Sequence, residues 1–123
     1  MYDLELAKEI LRQILWSAQI IARRFEPITS PEDFLNSESG LEKLDAICMQ
    51  LIAMGERVKH LDKLTGGALL ARYPQVAWKR VMGIRDMLSH HYFDVDAEVV
   101  YGACEKHIGE LARIVQRVIA DLA

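Results

Sequence analysis

Eight side chains able to do acid–base, hydrogen-bonding or ionic chemistry crowd the twelve positions from Arg85 to Asp96: Arg85, Asp86, Ser89, His90, His91, Tyr92, Asp94 and Asp96. Two of the chain's four histidines stand side by side there, next to a tyrosine. An arginine and a histidine without a nucleophile or a metal set suit phosphodiester chemistry in which the substrate's own hydroxyl attacks. In RNA the 2′-hydroxyl can attack the adjacent phosphorus. A histidine moves protons at neutral pH, and an arginine neutralises the charge that builds on the phosphoryl oxygens. Such a reaction needs no cofactor and spares DNA, which lacks the 2′-hydroxyl.

Spacing limits how these groups can meet. Arg85 and His90 are five residues apart, about 140° around an ideal helix. One straight helix does not aim both at one point, so either the helix ends or bends near Ser89 or a second copy completes the site. Asp86 and His90 are an i, i+4 pair, and an aspartate there would orient the ring and favour the imidazolium. Each residue also has a plainer reading. Arg85 alone is a surface or structural ion-pair residue, and His90 alone a solvated histidine at a helix end, where positive charge suits the dipole. His91 beside His90 is a weak metal-ligand signal, because adjacent histidines on a helix diverge and no carboxylate pattern accompanies them. Tyr92 and Phe93 can simply pack a corner between helices. His107, on an apolar stripe, reads as a core or interface histidine, and Gly55-Glu56 as a close-packing glycine beside a solvated acid.

The elements that must position this cluster are helical. A first helix is expected from about Asp3 to Phe25, with Ile10, Leu11, Ile14, Leu15, Ala18, Ile21, Ala22 and Phe25 at helical spacing, Asp3 as cap and Pro27 beyond its end. Ser30-Pro31-Glu32-Asp33 reads as an N-cap followed by proline at the first helical position, giving a short turn over 31–36. A second long helix is expected from near Ser39 or Gly40 to about Asp62, with Leu41, Leu44, Ile47, Cys48, Leu51 and Ile52 inside and Glu56, Arg57, Lys59 and His60 facing water. Thr65-Gly66-Gly67 breaks it. Another turn over Ala68–Tyr73 ends at Pro74. Val76 to about His90 reads as one helix with Ala77, Val81, Ile84 and Leu88 inward. Asp94 or Asp96 caps a last helix whose stripe runs from Val100 through Cys104, His107 and Leu111 to Ile119. The pattern predicts a single all-α domain over residues 1–123, an antiparallel bundle of four main helices with short extra turns.

Bulk composition agrees with one folded domain of 123 residues, 51% apolar and 27% charged. The net charge of −3 provides no global field for nucleic acid, so any RNA contact must come from a local patch. Cys48 and Cys104 lie on apolar stripes without CxxC spacing and read as buried thiols in a reducing compartment. No apolar run reaches the roughly 18 residues a membrane helix requires, and the acidic start MYDLELAKE lacks a basic signal-peptide region. The cytoplasm is the expected compartment, without membrane contact.

Arg85-Asp86-Met87-Leu88-Ser89-His90-His91-Tyr92 matches the R-polar-x-x-x-H-x-Y signature of the HEPN superfamily and most closely resembles its HepT-type toxins. The likeness extends upstream through Tyr73 to Ile84, with its proline, tryptophan and glycine, and downstream through Phe93-Asp94-Val95-Asp96. Gly55-Glu56 resembles the family's common Gly-Glu pair. Two positions depart from the pattern. Asp86 stands where asparagine is common, and Ala77 where a proline often precedes the tryptophan.

The resemblance implies a metal-independent endoribonuclease toxin. Arg85 and His90 carry over as its catalytic pair, Asp86, Ser89 and His91 as supporting residues, and Lys79 and Arg80 as added positive charge for RNA. It implies a homodimer, or a higher oligomer built from it, whose two motifs face one composite cleft. It also implies a nucleotidyltransferase antitoxin of the MntA kind that adds AMP to Tyr92, blocking the cleft by bulk and negative charge. No cofactor and no metal are implied. The rival reading is a non-catalytic helical module that docks such a nucleotidyltransferase or a nucleotide, with Arg85 on a phosphate and His90 only hydrogen-bonding.

Overall fold

The computed structural model describes residues 2–89 and 96–123, and among these every regular element is a helix. Helix α1 covers Leu4–Phe25, a 3-10 turn covers Pro31–Phe34, and α2 covers Glu38–Leu64. Two short helices, α3 (Ala68–Ala71) and α4 (Trp78–Met82), precede α5 (Ile84–Ser89). Helices α6 (Ala97–Lys106) and α7 (Ile108–Leu122) complete the antiparallel bundle.

The helix starts follow from side chains that satisfy orphan backbone amides. Asp3 accepts from the Leu6 amide, and Asp96 accepts from the amides of Glu98 and Val99. The α2 cap is Ser37, whose hydroxyl accepts from the Gly40 amide, so this helix starts one to two residues before the sequence suggested. Ser30 occupies the cap position of the 3-10 turn but makes no side-chain cap bond. The Asp33 carboxylate instead accepts from the Thr29 amide and hydroxyl, both at 2.8 Å, and these bonds hold its pKa below the usual carboxylate value. At the other end of α2, Gly66 (φ 63°) and Gly67 (φ 77°) take the left-handed conformation that closes the helix.

The core is one cluster. Ala7, Ile10, Leu11, Ile14, Ala18 and Ile21 of α1 meet Ile47, Leu51, Met54, Val58 and Leu61 of α2 and Leu111, Val115 and Val118 of α7. The α2 stripe runs further toward its C-terminus than Leu41–Ile52, and Leu41 itself is exposed. Helix α2 serves as the central post, with α1 on one side and α4 and α5 on another.

Two expected helices are interrupted. The Val76–His90 helix is divided at Gly83 into α4 and α5, and Ala77 is not inward but exposed at the start of α4, while Trp78 is buried. The last helix breaks at His107 (φ −121°, ψ −32°), which is exposed and not part of the core stripe. Cys104 is buried and Cys48 half-buried. Burial pushes their thiols up to about 12 and about 11, with a smaller contribution from Asp45 at Cys48 and from Cys48 at Cys104. None of the helices among the described residues is long and apolar enough to cross a membrane.

Candidate functional site

The expected site begins where α4 and α5 lie on α2, and a glycine sets that approach. A Cβ at Gly55 would stand 2.6 Å from the Val81 carbonyl oxygen and 2.9 Å from Ile84 Cγ2. Only a hydrogen at that position lets the α4–α5 corner settle this closely onto the post. Gly55 thus does pack closely, as its position in the sequence suggested.

The corner is tied down from its other side as well. The indole N–H of Trp78 donates to the Tyr73 carbonyl at 2.8 Å, and the Tyr73 hydroxyl donates to Asp121 of α7 at 2.6 Å. Both rings are buried. The proline–tryptophan stretch therefore acts as a strap that fixes the entry into α4. Gly83 closes α4 by donating to the Lys79 carbonyl, and its own carbonyl accepts from the Met87 amide, so α5 restarts immediately.

This packing brings Arg85 beside Glu56. One guanidinium nitrogen of Arg85 donates to Glu56 Oε1 at 3.3 Å, across 29 residues of sequence. Lys59, one turn along α2, approaches the same oxygen at 3.9 Å. The Arg85 side chain is 59% exposed and Glu56 34%. Glu56 is therefore not the solvated acid read from the sequence but the carboxylate that steadies the arginine. A guanidinium carries five N–H donors in a planar fork, so one contact leaves several for an anion arriving from solvent. The exposed pair itself adds little to stability, about 0–1 kcal/mol, and its consequence is orientation.

Of the remaining candidates, Lys79 and Arg80 are exposed on α4, and Asp86 is exposed on α5 beside Arg85. Ser89 is the last residue of α5. His90, His91 and Tyr92 lie outside the described residues, and so does the expected Asp86–His90 pair. Asp96, the capping residue, resumes the described chain. Among the described residues no three His, Cys, Asp or Glu side chains come together as a metal site. Glu56 is the member that sequence reasoning assigned elsewhere. Its signals in the sequence, adjacency to a mid-helix glycine and the likeness of Gly55-Glu56 to the family's Gly-Glu pair, say nothing of a partner on another helix.

The chain is similar to known proteins. A candidate RNase of Methanocaldococcus jannaschii is 31% identical over 91 residues, covering 74% of this chain and 72% of that protein. A second from the same organism is 30% identical over 77 residues, and the match spans 63% of this chain and 60% of the relative, less than two thirds of its length. A candidate RNase of Caldanaerobacter subterraneus subsp. tengcongensis is 31% identical over 109 residues, 89% of this chain and 90% of its own. No solved structure matches the chain. The model of the ribonuclease HepT-like family matches residues 14–118, which contain the Gly55-Glu56 pair, the strap and the whole arginine–histidine motif, and the chain belongs to that family.

Proposed function

We propose that this chain is a metal-independent endoribonuclease toxin that works as a homodimer. The observation that carries the reading is an accessible arginine, oriented by a carboxylate from another helix, within the segment that the ribonuclease HepT-like family matches. In the proposed reaction the 2′-oxygen of RNA attacks the adjacent phosphorus and the bond from phosphorus to the 5′-oxygen breaks. A 2′,3′-cyclic phosphate and a 5′-hydroxyl result. His90 takes the proton of the attacking hydroxyl, and the departing oxygen receives one from the second copy's imidazolium or from water. Arg85 neutralises charge on the phosphoryl oxygens as the transition state forms, and exposed Lys79 and Arg80 draw the RNA backbone toward the cleft. A dimer would let two motifs share one substrate, which answers the divergence of Arg85 and His90 on a single helix.

Regulation belongs to the same reading. A nucleotidyltransferase antitoxin of the MntA kind adds AMP to Tyr92, two residues past His90, and the added charge and bulk repel RNA phosphate. ATP and such an enzyme should add one AMP to the chain, and Tyr92→Phe should prevent it.

The central test is cleavage of RNA in EDTA by the purified, unmodified chain, compared with Arg85→Ala and His90→Ala. Loss of proton transfer should lower the rate by about 10²–10⁴-fold. Loss of the guanidinium should lower it by about 10²–10³-fold. Cleavage by His90→Ala at the wild-type rate sinks the mechanism. A chain that cleaves nothing, but whose hold on the nucleotidyltransferase weakens with Arg85→Ala, is the docking module instead.

A further inference from the structure

Glu56 also borders a second feature, one that the cleavage chemistry leaves unused. Helices α1 and α2 leave between them an open groove of about 660 Å³, lined by Arg12, Gln13, Trp16, Gln50, Glu56 and Arg57 among others. Trp16 is 55% exposed, although its neighbours Ser17 and Ala18 are buried. This large indole is left more than half in water, off the core stripe of α1. Arg57 reaches across the groove to Gln13 Oε1 at 3.4 Å, and Arg12 pairs with Glu9 at 3.2 Å. Both groups of the Arg12–Glu9 pair are more than half exposed, so a phosphate can replace the carboxylate at small cost.

We infer that this groove is a subsite for single-stranded RNA, in which a base stacks on Trp16 while Arg57 and Arg12 hold the flanking phosphates. Gln13 and Gln50 supply amide donors and acceptors for a base edge. The inference rests on the reading of the chain as a ribonuclease. Three observations favour a nucleic-acid strand over a second copy of the chain. The lining sets one aromatic face beside guanidinium and amide groups that suit an unstacked base and its phosphates, and its two carboxylates, Glu9 and Glu56, are already paired with Arg12 and Arg85. Glu56 also lines the groove while holding Arg85, so a strand leaving the groove at that end arrives at the arginine. From Glu9 to Ser17 the α1 wall runs about 12 Å, enough for more than one nucleotide.

The test uses the full chain and a fluorescein-labelled 2′-O-methyl decamer of mixed sequence, which cannot be cleaved because its 2′-oxygen is methylated. Anisotropy gives the affinity. Tryptophan emission gives the location, because the other indole, Trp78, is buried and hydrogen-bonded. Binding should quench emission. Trp16→Ala should weaken it by about 5–150-fold, the worth of one stacked base, while Trp16→Phe stays within a few-fold of wild type. Arg57→Gln should lower the salt slope of log affinity by about 0.7, one single-strand phosphate. Wild-type affinity in Trp16→Ala overturns the subsite. So does loss of self-association by Trp16→Ala in sedimentation velocity, which would make the groove a surface between copies. Ordinary RNA, assayed alongside, separates the two readings. Cleavage that continues unchanged in Trp16→Ala removes the groove and leaves the ribonuclease, whereas a wild-type chain that neither cuts RNA nor binds the decamer removes both.

Discussion

Gly55→Ala should loosen the site through a single methyl group. The added carbon would sit 2.6 Å from the Val81 carbonyl oxygen, and ordinary contact begins at 3.4 Å, so α4 must retreat by about 0.8 Å. The obstacle is main chain, which cannot rotate aside, with the branched Ile84 side chain next to it at 2.9 Å. Overpacking of this kind costs about 1–3 kcal/mol. Replacing a mid-helix glycine by alanine returns roughly 0.8–1 kcal/mol of helix propensity. The net expectation is a loss of about 0–2 kcal/mol, or a fall in Tm of up to roughly 8 °C for a chain of this size. Gly102→Ala provides the comparison, because Gly102 lies within α6 and its new carbon meets nothing within 4 Å. That substitution should raise stability by about 0.5–1 kcal/mol. Both are read by thermal and urea unfolding. The retreat should also stretch the 3.3 Å Arg85–Glu56 contact beyond hydrogen-bonding range, so RNA cleavage should fall in Gly55→Ala and stay level in Gly102→Ala. If Gly55→Ala is as stable as Gly102→Ala, the close approach of the α4–α5 corner to α2 is not what places Arg85.

Three further expectations follow from the same geometry. Glu56→Gln keeps a hydrogen-bond acceptor for Arg85 and Glu56→Ala does not, so cleavage should be nearly retained in the first and reduced in the second, with unfolding shifted by no more than about 1 kcal/mol in either. Equal activity of the two variants would remove the orienting role. Tyr73→Phe should cost about 1–2 kcal/mol in urea unfolding, because it deletes the bond to the Asp121 carboxylate that ties the strap to α7. A neutral outcome would show the strap held by packing alone. Burial raises the folded pKa of both thiols above the ordinary value of 9.0, so their contribution to stability is fully present below about pH 9 and is lost as pH rises toward 11–12. Alkaline unfolding should therefore steepen above pH 9 and flatten in a Cys48→Ala/Cys104→Ala chain, and native thiols should react slowly with iodoacetamide at pH 8.

The sequence by itself determined the fold class and the chemistry to look for. Apolar residues at helical spacing placed Ile10, Leu11, Ile14, Ala18 and Ile21 in the core, because burial of one face every 3.6 residues is a local property that the chain writes out directly. Asp3 and Asp96 as caps, and the pair of glycines that ends α2, were legible for a similar reason: each works on amides or backbone angles within a few residues of itself. Tertiary structure decided whatever depends on how one helix lies on another. The sequence marks no stop at Gly83 or His107, since a lone glycine or histidine is tolerated within a helix, and packing on neighbouring helices fixes the breaks there. Pairing of Arg85 with Glu56 lies furthest from view. It joins two helices at a register set by the absence of a side chain at Gly55, and neither residue carries a local sign of the other. Periodicity reveals which face of a helix is inside, but only the packed fold determines which two exposed faces share an edge.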